Sequence, residues 1–191
     1  MKFRILALVL ATSSPTIGLQ AANLDQVKLV GIDLFNANQT QVRQHIRHIG
    51  GFQQERATFN HPNVDKFFPV SNLRDSYYLE FRYDANGQIV SAKRLYRRSG
   101  VRLINEYRDI TTQDLARLLS AELGQPPKVL RKQREGGLSY PSYIWETEDI
   151  TIKIDHRGSS PYQPIFVEYK LARDPFAAKI EEPENLANNR R

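Results

Sequence analysis

Apolar and polar positions along this chain follow one order twice, the second time roughly 70 residues after the first. Residues 26–32 read as a strand, with Val27 and Leu29 on one face and Val30 and Ile32 on the other. A helix follows near 38–49. Asn38 caps it, Val42, Ile46 and Ile49 recur at helical spacing, and Gly50-Gly51 ends it. Tyr77, Leu79, Phe81 and Tyr83 then alternate with Tyr78, Glu80 and Arg82, as a half-buried strand requires. Asp84-Ala85-Asn86-Gly87 is a turn, because Asn-Gly accepts positive φ at little cost, and 88–97 returns as the second arm of a hairpin.

The second pass opens at Val101-Arg102-Leu103-Ile104. Its helix, near 112–123, is capped by Thr111 or Thr112, carries Asp114 in its first turn, and shows an apolar stripe at Leu115, Leu118, Leu119 and Leu123. Gly124 stops it and Pro126-Pro127 forbids continuation. Residues 128–137 read as a loop or a ragged edge strand. Residues 143–147, 150–155 and 165–171 read as strands, the middle one running into the turn Asp155-His156-Arg157-Gly158. The two aromatic stretches, Ser76-Tyr77-Tyr78-Leu79-Glu80 and Ser142-Tyr143-Ile144-Trp145-Glu146, occupy the same place in this reading.

These patterns predict an α+β fold of two related β-α-β-β units, 23–99 and 100–173, with their helices packed on one side of an antiparallel sheet. Residues 1–22 are expected to be a signal peptide and 174–191 a flexible tail of low apolar content. Residues 52–73 show no clean period, contain Pro62 and Pro69, and are expected to form a long loop of the kind that often carries binding.

A capped helix, Leu-Gly-x-Pro, an aromatic strand and a strand ending in Asp-x-x-Gly resemble the small helix-plus-sheet module of outer-membrane assembly lipoproteins. The tandem arrangement resembles the beta-lactamase inhibitor protein fold. Thr112, Leu115, Leu119, Gly124, Pro126, Trp145, Ile152, Ile154, Asp155 and Gly158 carry the likeness. It spans most of the chain in outline, though in the first unit Gly50-Gly51 replaces the Gly-x-Pro stop. The resemblance implies an exported binding protein and not an enzyme. The chain departs from both groups in having no cysteine, so neither a lipid anchor nor inhibitor-type disulfides are implied.

The amino-terminal residues bear on compartment. Lys2 and Arg4 precede a short apolar run, 5–11, and Ala21-Ala22 offers a cleavage point. The run is shorter than the roughly 20 residues that span a bilayer, although a retained amino-terminal anchor is the competing reading. Export without lipidation and without cysteine fits a periplasmic protein stabilised by packing alone. Of the formal net charge of +6, Lys2 and Arg4 supply two, which leaves about +4 on the exported part. That mild excess permits an acidic protein surface, lipopolysaccharide or another anionic glycan as partner and gives no reason to expect nucleic acid.

Candidate chemistry is sparse. His45 and His48 lie three apart on the first helix and could form a zinc site with His61, but His45 sits at the margin of the apolar stripe and no metalloprotease spacing accompanies the pair, so no metal is assigned. Ser91 and Lys93 share a strand face without a nucleophile elbow around them, and Glu146, Glu148 and Glu80 read as outward strand charges. No catalytic residue and no cofactor are assigned.

The candidate partner-binding residues are of two kinds. Lys93-Arg94-Leu95-Tyr96-Arg97-Arg98, with Arg102 beyond, would place Arg94, Tyr96 and Arg98 on one strand face and Lys93, Leu95 and Arg97 on the other. The first set would be a docking face for an anionic partner or simply a solvated one, with Leu95 favoured over Tyr96 as the inward residue. Phe67-Phe68 cannot both point inward from an extended segment, so one could anchor a partner, unless the loop plugs both into the core. The expected role is that of a periplasmic, non-enzymatic accessory factor. It would bind envelope proteins of a secretion-system membrane complex, type VI systems among them, through the periplasmic part of an inner-membrane complex, or would serve an outer-membrane assembly complex. The alternatives are an inhibitor or immunity protein for a periplasmic enzyme and a binder of peptidoglycan or lipopolysaccharide.

Overall fold

The computed structural model describes residues 27–70, 75–97, 101–103, 106–108, 110–133, 139–157 and 164–174; for 101–103, 106–108, 133 and 139 it gives the backbone path alone. The protein is α+β: two helices lie against a large antiparallel sheet of eight strands, with small two-stranded hairpins beside it.

The first hairpin pairs β1 (Lys28–Leu29) with β2 (Ile32–Asp33). The strand expected over 26–32 therefore folds back on itself. Its turn is Val30-Gly31, both with positive φ (48° and 86°), the geometry that a two-residue hairpin loop demands. Helix α1 (Gln39–Ile49) starts at Asn38, whose side chain accepts from the Gln41 amide while the Gln41 side chain accepts from the Asn38 amide, a complete capping box. Val42 and Ile46 are buried, whereas Ile49 is half out of the core.

Residues 52–69 are not the expected loop. They contain β3 (Phe52–Gln54), a single 3-10 turn (Arg56–Thr58) and β4 (Val64–Pro69), which add to β5 (Ser76–Tyr83) and β6 (Ile89–Tyr96). A three-residue strand has too few positions to show a period, which is why β3 is silent in the sequence. The second half repeats the order. A hairpin of β7 (Val101–Leu103) and β8 (Glu106–Arg108) leads to α2 (Thr112–Leu123), then β9 (Lys128–Gln133), β10 (Ser139–Glu146), β11 (Ile150–His156) and β12 (Ile165–Leu171). Thr111 and Asp114 form the α2 capping box, and Gly124 in the left-handed region ends the helix.

The sheet runs β3-β4-β5-β6-β12-β11-β10-β9. The last strands of the two halves meet at its centre, where β6 and β12 pair antiparallel from Tyr96↔Ile165 to Ser91↔Lys170. Each half is thus a hairpin, a helix and four strands, richer than the expected β-α-β-β unit. By strand order the aromatic β5 has its counterpart in β11, and the Ser142–Glu146 stretch belongs to β10, one strand earlier than the sequence match placed it.

Register fixes the faces. Asp65, Phe67, Leu79, Phe81, Ala92, Arg94, Val167, Tyr169, Ile152 and Trp145 follow one another across one side of the sheet. That side faces both helices, and its apolar members form a single buried cluster with Val42 and Ile46 of α1 and Leu115, Leu119 and Leu123 of α2. Leu118, read as part of the α2 stripe, is instead 68% exposed. No helix among the described residues is long and apolar enough to cross a membrane.

Candidate functional site

The structure separates the residues that the sequence grouped. Phe67 is in the core, its ring edge-on to Phe81 at 6.2 Å, while Phe68 points to the opposite side of the sheet and is 38% exposed. Arg94 and Tyr96 lie on the helix side, across from Leu79 and Val167. Arg94 Nε donates to Ser76 Oγ (2.8 Å), one terminal nitrogen donates to Asp75, and the guanidinium stacks on the Tyr96 ring at 4.4 Å. Leu95, favoured as the inward residue, is buried on the face away from the helices, so the two sets are exchanged: Arg94 and Tyr96 pack on the helix side, and Lys93 and Leu95 belong to the face that the helices leave uncovered. Arg98 lies outside the described residues, and only the backbone of Arg102, in β7, is described.

The side of the sheet away from the helices is the candidate site, and alternation alone populates it. Lys66 and Phe68 come from β4, Tyr78, Glu80 and Arg82 from β5, Lys93 and Leu95 from β6, Phe166, Glu168 and Lys170 from β12, and Lys153 and Asp155 from β11. Neither helix covers it. Two aromatic centres organise it. Phe68 meets Tyr78 edge-on at 6.3 Å, and Lys66 Nζ stands 5.2 and 4.6 Å from these two rings. At the β6–β12 seam Phe166 packs beside Leu95, with Lys93 Nζ 4.2 Å and Lys153 Nζ 5.9 Å from its ring. The lysine stems cover apolar surface while their heads reach water, which is how Phe166 comes to be 9% exposed on a face that no helix covers.

Charge leans positive around Phe166 and Asp155, while toward Glu80, Arg82 and Asp174 the same face is balanced. Glu168 takes Lys93 (3.5 Å) and Lys170 (4.0 Å), and Asp155 takes Lys153 (3.2 Å) and Lys132 of β9. Four ammonium groups thus share two carboxylates. Burial on its own would raise the Asp155 carboxyl, but hydrogen bonding and charge from Lys132, the His156 amide and the Lys153 charge together hold it below its ordinary value. Lys132 is raised: its pairing with Asp155 outweighs the burial that opposes it. The Tyr78 hydroxyl is also raised, by burial first and Glu80 next. Asp155, read from sequence as the end of the 150–155 strand and the start of a turn, is a buried member of β11, and the only sequence signal for its role was its alternation with Lys153.

On the helix side a fully buried carboxylate ties α1 to the sheet. Asp65 accepts from Arg43 Nε (2.9 Å) and Nη2 (2.8 Å), Gln54 Nε2 (2.7 Å) and the Tyr83 hydroxyl (3.1 Å). Burial and the neighbouring carboxylate push the Tyr83 phenol well above its ordinary range, so it stays a donor. The histidines have separate duties. His45 Nε2 donates to the Val30 carbonyl (2.9 Å), and His61 Nδ1 accepts the Asn63 amide (3.3 Å). Across the seam, Arg173 donates to the carbonyls of Ile89 (2.7 Å), Leu34 (3.2 Å) and Phe35 (3.0 Å), linking the end of β12 to the first half.

Comparisons with protein-family models, with curated proteins and with solved structures give no match.

Proposed function

We propose that this chain is an exported, periplasmic, non-enzymatic factor that binds an acidic surface of an envelope protein with the uncovered face of its sheet. The observation that carries this reading is the strip from the β6–β12 seam across β11 to β9, where four lysines share two carboxylates beside Phe166, flanked by the Phe68–Tyr78–Lys66 group. Surplus lysines would steer an acidic partner into place. Half-exposed aromatic rings would supply the desolvated anchors that dominate interface energy. A rigid sheet presents both without a loop having to order first. The machine served would be a secretion-system membrane complex or an outer-membrane assembly complex.

The test uses the processed protein as bait on an envelope fraction with mild crosslinking, beside a variant carrying Lys93→Glu and Lys153→Glu. Recovery of one envelope protein by the wild type, lost with the charge-reversed face and weakened by added salt, is the expected result. Recovery of no envelope protein, or equal recovery by both baits, defeats the proposal. Retention of lipopolysaccharide or peptidoglycan fragments in place of a protein would transfer the face to a glycan. A chain that keeps residues 1–22 in the cytoplasm would remove the compartment on which the reading rests.

A further inference from the structure

The other side of the sheet holds a second feature that the open face does not explain. A groove of about 430 Å3 runs over the β6–β12 seam, between the β1–β2 hairpin and α2. Its floor presents Arg94, Tyr96 and Tyr169, and its walls present Val30, Leu118 and Leu119. Helix α1 is tied to β4 by the Arg43–Asp65 pair and α2 sits on β10 and β11, so the two helices flank the central strand pair.

Three observations at this groove point to a ligand. Tyr169 is only 5% exposed, and its hydroxyl makes no hydrogen bond with any described residue. A buried hydroxyl without a partner is costly and rarely tolerated for packing alone. Secondly, the wall is apolar where solvent should favour polar side chains. Leu118 is 68% exposed, and Val30, at the tip of the β1–β2 turn, lines the same groove. Thirdly, the donors on the floor are pre-aimed: Ser76, Asp75 and the Tyr96 ring fix the Arg94 guanidinium. Lys28, Arg94 and Glu122 are the charged groups lining the groove, and Arg94 is already paired with Asp75, so Lys28 and the unused guanidinium N–H groups are what it offers an anion. A groove of this size with apolar walls and a few convergent polar groups is a form that small-molecule sites take.

We propose that this groove binds a small amphipathic anion, its apolar body against Val30, Leu118 and Leu119 and its acidic head accepting a hydrogen bond from the Tyr169 hydroxyl beside Arg94. Burial raises the Tyr169 phenol, with Tyr96 and Glu122 adding to the effect, so the group stays protonated and donates at any physiological pH. The site is on the opposite side of the sheet from the protein-binding face and stands or falls independently of it.

The test is a fluorescence titration of the intact chain with 8-anilinonaphthalene-1-sulfonate, followed by competition with decanoate and with decanol, which has the same chain length but no charge. Saturable binding displaced by decanoate and not by decanol is expected. Tyr169→Phe should leave the melting temperature unchanged or higher and weaken the probe by about tenfold, the loss of one charge-assisted hydrogen bond. Leu118→Glu, a change at an exposed position, should abolish displacement by decanoate without altering the fold. The proposal is overturned by the absence of saturable binding, by equal displacement with decanol, or by unchanged affinity in both variants. It is also overturned if Tyr169→Phe lowers the melting temperature, which would mean that the hydroxyl serves a structural water.

Discussion

Arg43 and Asp65 lie 22 residues apart in sequence and meet as a two-pronged ion pair, 2.9 and 2.8 Å, beneath helix α1. Their surroundings differ: the Asp65 side chain is wholly buried, while that of Arg43 is 27% exposed. The two halves of the pair should therefore not cost the same to remove. Arg43→Met strands a buried carboxylate with only Gln54 and Tyr83 as donors, and should cost about 3–5 kcal/mol. Asp65→Asn leaves a cation that can turn toward water, and should cost less. Urea titrations of both variants decide the matter, and equal costs would contradict the account.

Phe67 and Phe68 are neighbours with opposite fates. Phe67→Ala empties a core position that touches Phe81 and should cost about 3–5 kcal/mol. Phe68→Ala should cost less, about 1–2 kcal/mol, because 38% of the residue is already in water. Its effect should fall on partner capture instead. Thermal melts paired with the capture assay separate the two, and a Phe68 variant that melts early with full capture would reverse their assignments.

Asp155 supplies a pH signature. Its carboxyl is held below 3.8 in the folded protein, so its contribution to stability is complete above that value and disappears as pH falls through the lower folded one. Asp33, lowered by hydrogen bonds from Asn36 and the Phe35 and Asn36 amides against the opposing effect of burial, acts in the same window. Stability measured by denaturant should drop as pH is taken from 5 toward 2, on the order of the usual carboxylate range. Asp155→Asn should be less stable at neutral pH and should show a shallower acid arm. An unchanged acid arm in that variant would assign the loss to other carboxylates.

Gly31 is needed twice over. Its φ is 86°, and a Cβ there would come within 3.1 Å of His45 Nε2, the atom that holds the Val30 carbonyl. Gly31→Ala should cost about 1–3 kcal/mol through strain and the displaced imidazole. Gly87, also at positive φ but with open space around it, should pay for strain alone, so Gly87→Ala is the milder change. Melting temperatures in the opposite order would refute this.

Local chemistry was legible wherever one element carried its own punctuation. Both helices begin at the residues that cap them and end at glycine, and the Asp84–Gly87 turn joins β5 to β6 with Gly87 donating to the Asp84 carbonyl at 3.0 Å. A capping side chain acts within one turn of the backbone, so its meaning survives in sequence. Tyr77 shows where this stops. Alternation put it with Leu79 and Phe81, but a register shift between Ser76 and Tyr78 leaves it 43% exposed, with Arg97 over its ring.

By itself, then, the sequence determined the class of fold, the position of both helices and five of the longer strands, because each of these depends on spacing along one element; whether Phe67 and Phe68 diverge was left open until 64–69 proved to be a strand. Tertiary structure decided which strands became neighbours, that 52–69 joined the sheet, and that Arg94 and Tyr96 went beneath the helix layer while Lys93, Lys153 and Phe166 gathered on the far side. Alternation says which residues share a face. Only the pairing of β6 with β12, distant in the chain, says what those faces meet.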